Sequence, residues 1–228
     1  MPPHAGSPLS RRALSLGPVT IDPPVFLAPM AGVTDPPFRA LVRRYGVGLT
    51  WSEMLAAKAV VHGDSRTLAM AATDQPHEPA AAVQIEGAEP ALVADAARRL
   101  AEAGAGIIDV NMGCPTRKIV GQGAGAALLT DPDRAGRIVE AVVAAVAVPV
   151  TVKMRLGWSA GDNAAPELAR IAGEAGAALV TVHGRTRDQF YDGTADWAAI
   201  ADVVRAVNLP VVANGDVFTP ADAAALLR

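Results

Sequence analysis

Cysteine is almost absent from this sequence. A single one, Cys114, stands among 228 residues. One cysteine cannot form an internal disulfide, and it cannot supply the C-x-x-C pair that many metal and redox sites use. The composition therefore favours a reducing compartment, and we expect the protein to be cytoplasmic.

Long apolar runs and a large excess of one charge are also missing. No apolar run reaches the roughly 20 residues that cross a bilayer, so we expect no membrane association. The formal net charge of −3 gives no global electrostatic reason to bind a polyanion such as nucleic acid. The apolar stretch that follows Arg11 and Arg12 is too short for a signal peptide, and we interpret residues 1–20 as a loose leader.

Several familiar site motifs are not found. His183 lacks a second histidine or a cysteine pair at metal-ligating spacing, so no metal is expected. The sequence contains neither a G-x-x-x-x-G-K-[ST] loop nor a strand-linked G-x-G-x-x-G, which argues against Walker and Rossmann nucleotide sites. The segment GQGAG at 121–125 follows a GCP turn, and we interpret it as a mobile loop over a site.

What the sequence does contain is a repeated alternation of two patterns. Runs rich in valine and isoleucine alternate with alanine- and leucine-rich segments of helical period, as in βα units around a parallel sheet. Asp35 before Pro36 and Asp131 before Pro132 are typical helix starts. The predicted strands are residues 25–29, 48–52, 81–85, 106–111, 149–154, 178–183 and 210–215.

Weak internal repeats support a barrel. EAGAGIIDV from Glu102 matches EAGAALVTV from Glu174, and VAVPVTVKM from Val146 is similar to VNLPVVANG from Val207. We therefore predict an α/β fold, a TIM (β/α)8 barrel spanning residues 21–228, in preference to a doubly wound sheet. The segment from Thr219 is predicted as a helix that runs to the last residue, so the eighth strand is missing and the chain is interpreted as a fragment.

Each predicted strand ends in polar or soft side chains. In a TIM barrel such residues collect at one mouth, at the carboxyl ends of the strands. Cationic side chains can neutralise an anion there, while amides suit a flat heterocycle with alternating donors and acceptors. The sequence thus predicts a ligand site formed by Met30, Glu53, Gln84, Asn111, Cys114, Lys153, Arg155, His183, Arg185, Asn214 and Asp216.

Seven motifs occur in an order and spacing that resembles the tRNA-dihydrouridine synthases, FMN-dependent barrels that reduce uridine in tRNA. They are APMAGVTDPPFR, SEM, QIEG, DVNMGCP, VKMRLG, VHGRTRDQFYDGTADW and VVANGD, and they cover nearly all of residues 25–216. The resemblance implies a cytoplasmic, monomeric oxidoreductase that binds tRNA and uses FMN with NADPH or NADH as reductant.

The resemblance also implies roles for residues. Reduced FMN would deliver hydride to C6 of the uracil, and Cys114 would protonate C5 as general acid. A nucleophilic cysteine would need a partner base, and no Cys-His-Asn signature is present. Asn111, Arg155 and Arg185 would bind the substrate. The cofactor would be bound by Pro29, Met30, Ala31, Gln84, Lys153, His183, Asn214, Gly215 and Asp216.

The sequence departs from the family pattern in two places. It stops before the glycine- and arginine-rich turn of the last barrel strand and before the helical domain that grips tRNA. The loop after Lys118 also lacks the additional basic residues expected of the family's lid. The RNA-facing charge is therefore predicted to be the cluster of Arg117, Lys118, Arg155, Arg185 and Arg187.

Two alternatives remain open at this point. The chain could be an FMN barrel that acts on a free pyrimidine, like the dihydroorotate dehydrogenases, which would explain its mild acidity. It could also be a truncated, non-catalytic remnant that binds RNA or a partner. Activity on the free base would favour the first, and failure to retain flavin would favour the second.

Overall fold

The computed structural model describes residues 13–71 and 81–226. Two short strands, β1 (Leu14–Leu16) and β2 (Val19–Ile21), form an antiparallel hairpin. Seven further strands form a parallel sheet in chain order. They are β3 (Phe26–Leu27), β4 (Leu49–Ala56), β5 (Ala82–Glu86), β6 (Ile107–Met112), β7 (Val150–Arg155), β8 (Leu179–His183) and β9 (Val211–Asn214).

Helices connect the strands. They are α1 (Pro36–Arg43), α2 (Ala57–Val61), α3 (Ser65–Ala71), α4 (Pro90–Glu102), α5 (Arg117–Val120), α6 (Pro132–Ala145), α7 (Ala165–Glu174), α8 (Trp197–Ala206) and α9 (Pro220–Leu226), with a 3₁₀ helix at Gly125–Thr130. The final helix is present as predicted, and residues 227–228 lie outside the described ranges. Over the described ranges, no helix has the length and apolar character needed to cross a membrane.

The sheet confirms the predicted barrel architecture. All seven predicted strands are present, and each pairs in parallel with the next. Among the described residues β3 and β9 are the outer strands, so the sheet is a curled, open arc of a barrel with seven strands. Seven strands were readable in the sequence, and seven form this sheet among the described residues.

The helix starts and the repeats were also predicted correctly. Asp35 and Asp131 cap α1 and α6 by accepting backbone N–H bonds. At the repeated helix ends, Gly104 and Gly176 adopt φ values of 102° and 98°, a region that favours glycine. The repeat of EAGAGIIDV and EAGAALVTV is therefore a repeat of one local structure, in which the chain leaves a helix through a left-handed glycine and enters the next strand. The second repeat shares a different structure, in which the helix ends at an extended valine, Val146 or Val207.

Alternate residues of β6 show how the core is divided. Ile108, Val110 and Met112 pack in the main apolar core. Ile107 belongs instead to a second, smaller cluster, and Asp109 shares its side of the strand because side chains alternate with a period of two. The strands thus carry an apolar surface toward the helices and a mixed surface toward the barrel interior.

The N-terminal hairpin corrects the interpretation of residues 1–20 as a loose leader. Leu16, Val19 and Ile21 are buried, and they pack in the smaller cluster with Leu49, Trp51, Ala82, Ile107 and Leu179. The hairpin forms because apolar residues at alternate positions flank a tight turn at Gly17, whose φ is 55°. The rest of the predicted leader, residues 1–12, lies outside the described residues.

The glycine-rich segment at 121–125, which we interpreted as a mobile loop, ends in close contact with the Cys114 turn. Its last residue, Gly125, lies so close to the Cys114 turn that a Cβ there would stand 2.8 Å from the Cys114 carbonyl oxygen. The Ala126 N–H donates to the same oxygen at 3.0 Å. The end of the segment is therefore packed against the Cys114 turn.

Candidate functional site

Strand register brings the predicted site residues to one end of the sheet. Asn111 of β6 pairs with Lys153 of β7, and His183 of β8 pairs with Asn214 of β9. One step deeper, Gln84 of β5 pairs with Asp109 of β6. Because the strands are parallel, their carboxyl ends meet at the same mouth.

The Cys114 turn follows β6 directly. Asn111 Oδ1 accepts hydrogen bonds from the backbone N–H groups of Gly113 at 3.1 Å and Cys114 at 2.9 Å. The Cys114 Sγ lies 3.3 Å from the hydroxyl oxygen of Thr116, and the residue is partly exposed. The thiol is therefore accessible while its backbone is held by hydrogen bonds.

A chain of buried polar groups lies beneath this turn. Gln84 Nε2 donates to Asp109 Oδ2 at 2.7 Å, and Asn111 Nδ2 donates to Gln84 Oε1 at 2.9 Å. Thr151 Oγ1 donates to the other carboxylate oxygen of Asp109 at 2.6 Å. Burial raises the pKa of Asp109 to about 6, against the lowering effect of these donors. Sequence analysis did not single out Asp109 or Thr151, although Asp109 stands two positions before Asn111 and so faces the same side.

Lys153 brings a cation into the same space. Its Nζ donates to Asn214 Oδ1 at 3.0 Å, which joins two residues predicted to bind the cofactor. Burial lowers the pKa of Lys153 to about 8, while the Asp109 carboxylate acts in the opposite direction. Lys153 is thus still mostly protonated at neutral pH, and its ammonium remains a charged donor at the mouth.

His183 is an electrically neutral member of the site. Burial lowers its pKa to about 3, and the nearby cations Lys153, Arg155 and Arg185 act in the same direction. Its ring packs on Gly215, where a Cβ would stand 2.8 Å from the His183 Cδ2 atom. Its Nε2 lies 3.3 Å from Arg185 Nη1, which can only donate, so Nε2 accepts in this contact. At neutral pH the imidazole can therefore offer a ligand one donor, at Nδ1, but no charge.

Arg155 was expected to bind substrate and to face RNA. In the structure its side chain lies inside the protein. Its Nε donates to the Gly113 carbonyl at 3.0 Å, and its Nη1 donates to those of Thr186 at 2.9 Å and Phe190 at 2.8 Å. The residue is 2% exposed. Arg155 therefore holds the backbone on which Cys114 sits and does not add charge to the surface.

Arg185 is likewise buried. It forms an ion pair with Asp216 at 2.8 Å and donates to the carbonyl groups of Asp192 and Gly193 at 3.1 and 2.8 Å. Asp216 also accepts from the Ala195 N–H at 2.6 Å. These bonds lower the pKa of Asp216, with the Ala195 N–H as the largest cause. Arg185 and Asp216 thus organise loops at the mouth, and the expectation of an RNA-facing Arg185 is not met.

Exposed aromatic side chains lie at the rim, and sequence analysis did not single them out. Tyr191 is 76% exposed, and the Arg155 guanidinium lies 5.7 Å from the centre of its ring. The Arg187 guanidinium stacks 4.7 Å from the ring of Trp158. The adjacent pair of aromatics at 190–191, in a chain with 4% aromatic residues, is a signal that could have found this surface.

The residues after β3 form the remaining side of the mouth. Met30 is partly exposed, and Thr34 Oγ1 accepts from its N–H at 3.0 Å. Glu53 Oε1 accepts from the Gly32 N–H at 2.6 Å, so Glu53 fixes this turn. Pro29 and Ala31 belong to the same turn, which follows β3 and is held to β4 through Glu53.

Two groups of predicted cations remain at the surface. Arg117 and Lys118 are exposed on α5, which begins three residues after Cys114. Arg187 is half-buried against Trp158. Within residues 13–71 and 81–226, no group of three or more His, Cys, Asp or Glu side chains could hold a metal ion.

Fold and mouth together define a protein of the (β/α)8-barrel type whose polar residues gather at the carboxyl ends of its strands. Residues 26–228 match the family described as Dihydrouridine synthase (Dus), and the chain belongs to that family.

Similar proteins agree with this assignment. A probable tRNA-dihydrouridine synthase of Rhodobacter capsulatus is 50% identical over 210 residues, which cover 92% of this chain and 65% of that protein. The tRNA-dihydrouridine synthase B of Xanthomonas campestris pv. campestris is 49% identical over 216 residues, which cover 94% of this chain and 64% of that protein. The chain thus spans slightly less than two thirds of the length of these relatives.

A solved structure supports the fold independently. The structure of a FabK mutant from Thermotoga maritima matches with a TM-score of 0.50 at 18% identity, and the match covers 90% of this chain and 57% of that one. At this level of identity the likeness concerns the fold alone.

Proposed function

We propose that this protein reduces uridine to 5,6-dihydrouridine in tRNA, using FMN and a nicotinamide reductant, NADPH or NADH. The observation that carries the proposal is the position of Cys114, the only thiol of the chain, accessible at the mouth of a dihydrouridine synthase barrel. We further propose that the protein acts as a cytoplasmic monomer without a metal ion.

The donors at the mouth fit a flavin ring, whose edge is rich in acceptors. Gln84 uses one Nε2 hydrogen for Asp109, and Lys153 uses one Nζ hydrogen for Asn214. Each nitrogen carries at least one more hydrogen, which a ring nitrogen or carbonyl can accept. Pro29, Met30 and Ala31 would line the ring, and His183, Asn214 and Gly215 would extend the site toward the phosphate.

The fit of Asp216 is different. Its carboxylate already binds Arg185 and the Ala195 N–H, and a carboxylate would repel a phosphate. Asp216 would therefore contribute to a phosphate site through its backbone, which has a φ of 57°.

When bound, reduced FMN would supply the hydride for C6 of the uracil. Cys114 would donate the proton to C5, and the Thr116 hydroxyl, 3.3 Å from its sulfur, would help to orient the thiol. Asn111 presents its amide nitrogen, because Oδ1 is occupied by the Cys114 turn. Asn111 would therefore bind a carbonyl oxygen of the uracil, since only its Nδ2 has a free hydrogen.

The tRNA would approach the rim around the mouth. Arg117 and Lys118 are exposed beside the thiol, and Tyr191 offers an exposed ring on which a base can stack. The target base has to leave its stack to reach the interior. Arg155 and Arg185 would act on the substrate through the loops that they hold.

The experiment begins with the absorption spectrum of the purified 228-residue protein. FMN and then NADPH are added without air, and unmodified tRNA and free uracil are offered in parallel. We expect bound flavin that bleaches with NADPH, and dihydrouridine in tRNA but not in the free base. Product from the free base would instead support the dihydroorotate dehydrogenase-like alternative, and a protein that cannot be loaded with flavin would contradict the proposal.

Cys114→Ala is the matched variant. It should retain flavin binding and bleaching by NADPH, because neither needs the thiol. Formation of dihydrouridine in tRNA should fall by about 100-fold or more, the contribution typical of a positioned proton donor. Unchanged formation of dihydrouridine would refute the role of Cys114 as general acid.

A further inference from the structure

The buried carboxylate of Asp109 has no part in the function proposed above. It is 1% exposed and lies one step deeper than Asn111 on the inner side of β6. Its hydrogen-bond partners are side chains, Gln84 on one oxygen and Thr151 on the other. A buried ionisable group in such a network contributes less to stability than apolar packing of similar size, which raises the question of what it does.

The hydrogen bonds that lead away from Asp109 have a defined direction. An ionised carboxylate can only accept, so Gln84 must turn its Nε2 toward Asp109. The Oε1 atom of Gln84 then faces Asn111, which must donate a hydrogen bond to it from Nδ2. This leaves Oδ1 of Asn111 for the backbone N–H groups of Gly113 and Cys114.

Neither amide fixes its own orientation. The two ends of a glutamine or asparagine side chain have nearly the same shape, and hydrogen bonding alone decides between them. If both amides were reversed, the NH2 group of Asn111 would face two backbone N–H groups. The Cys114 turn would then lose both of the hydrogen bonds that Asn111 provides.

From this chain of contacts we infer that Asp109 is a positioning residue, which orients the amides of Gln84 and Asn111 and through them holds the turn that carries Cys114. The same orientation determines that both amides offer hydrogen-bond donors to a ligand at the mouth. The consequence for uridine reduction rests on the proposed function, whereas the control of the turn does not.

Thr151 provides a matched control. It contacts the same carboxylate at a similar depth, but it lies outside the chain that leads to Cys114. Thr151→Ala and Asp109→Ala both remove the hydrogen bond between these two residues. Only Asp109→Ala also removes the acceptor that orients Gln84.

The test measures the rate at which iodoacetamide alkylates the folded protein. Cys114 is the only cysteine, so the label reports on this turn alone. Rates are measured across a range of pH, to separate thiol ionisation from access, and urea unfolding reports stability in parallel. We expect Asp109→Ala to raise the rate by at least about fivefold, the factor for one lost hydrogen bond, and Thr151→Ala to stay within about twofold.

Equal rates in the two variants, or a rate in Asp109→Ala within twofold of the original protein, would overturn the inference. If Asp109→Ala does not fold, Gln84→Met tests the next contact of the same chain and should raise the rate equally. No increase in Gln84→Met would also overturn it, because Asp109 is inferred to act through Gln84. Alkylation needs neither flavin nor tRNA, so its outcome is distinguishable from a failure of the proposed function.

Discussion

The two ends of the barrel interior are built from the same strands but differ in chemistry. At the amino end, Ile107 and Leu179 pack with Trp51 and with the hairpin residues Leu16 and Ile21. Further along those strands the inner side carries Asp109 and His183, both buried. The amino end thus removes apolar surface from water, while the carboxyl end buries groups that cost free energy to desolvate. We therefore expect stability to depend mainly on the amino end and activity on the carboxyl end.

Ile21→Ala tests the amino end and should have the largest effect on stability. The side chain is fully buried under the barrel, so its truncation should lower the free energy of unfolding by about 2–4 kcal/mol. The measurement is urea unfolding. Thr20→Ala, on the exposed side of the same strand, is the control and should change stability by less than about 0.5 kcal/mol. Equal losses of stability in the two variants would show that packing of the hairpin against the amino end of the barrel does not stabilise the protein.

His183→Asn tests the carboxyl end through pH. The pKa of His183 is lowered from 6.5 to about 3 in the folded protein. Its contribution to stability is therefore complete above pH 6.5 and is lost as the pH falls from 6.5 toward 3, because the unfolded chain takes up the proton first.

The stability of the original protein relative to this variant should fall by up to about 1.4 kcal/mol per pH unit over that window. Urea unfolding at several pH values measures this difference, in which the titration of the other groups largely cancels. A difference that does not change with pH would mean that His183 is accessible to protons in the folded state.

Substitution of two exposed tyrosines, one at each end of the barrel, tests whether only the carboxyl end contributes to activity. Tyr191 lies at the mouth, and Tyr45 follows α1, before β4 begins, at the opposite end. Neither Tyr191→Ala nor Tyr45→Ala should change stability by more than about 0.5 kcal/mol, because both rings are exposed. Tyr191→Ala should lower kcat/KM for tRNA by about fivefold through the loss of base stacking, while Tyr45→Ala should not. Equal kinetics would show that the tRNA does not contact Tyr191.

The sequence was sufficient to predict the strand order and the residues that end β7, β8 and β9, which are Arg155, His183 and Asn214. The predicted end of β4 at Glu53 was wrong, because that strand continues to Ala56. Periodicity and capping residues are local properties, and Asp35 and Asp131 cap the predicted helices. The hairpin was missed because β1 and β2 have only three residues each, too few to establish an alternating pattern. Their burial depends on the underside of the barrel, which is formed by residues far away in the chain.

Partners of long side chains could not be predicted in the same way. Arg155 and Arg185 have the charge expected of RNA-binding residues, but which carbonyl groups they reach depends on how the loops after β6, β8 and β9 fold around them. The role inferred for Asp109 depends on the orientation of two amides, which only the three-dimensional network determines. Residue type predicted which residues would gather at the candidate site, while only the contacts show that Arg155 and Arg185 hold loops.

The side chain of Arg155 links two segments of the mouth that are far apart in the chain. From β7 it bonds to Gly113 on one side and to Thr186 and Phe190 on the other. The Arg155 side chain thereby connects the turn after β6 to the loop after β8, although β7 lies between these two strands. A displacement of the loop after β8 would therefore be passed through the Arg155 guanidinium to the turn that carries Cys114.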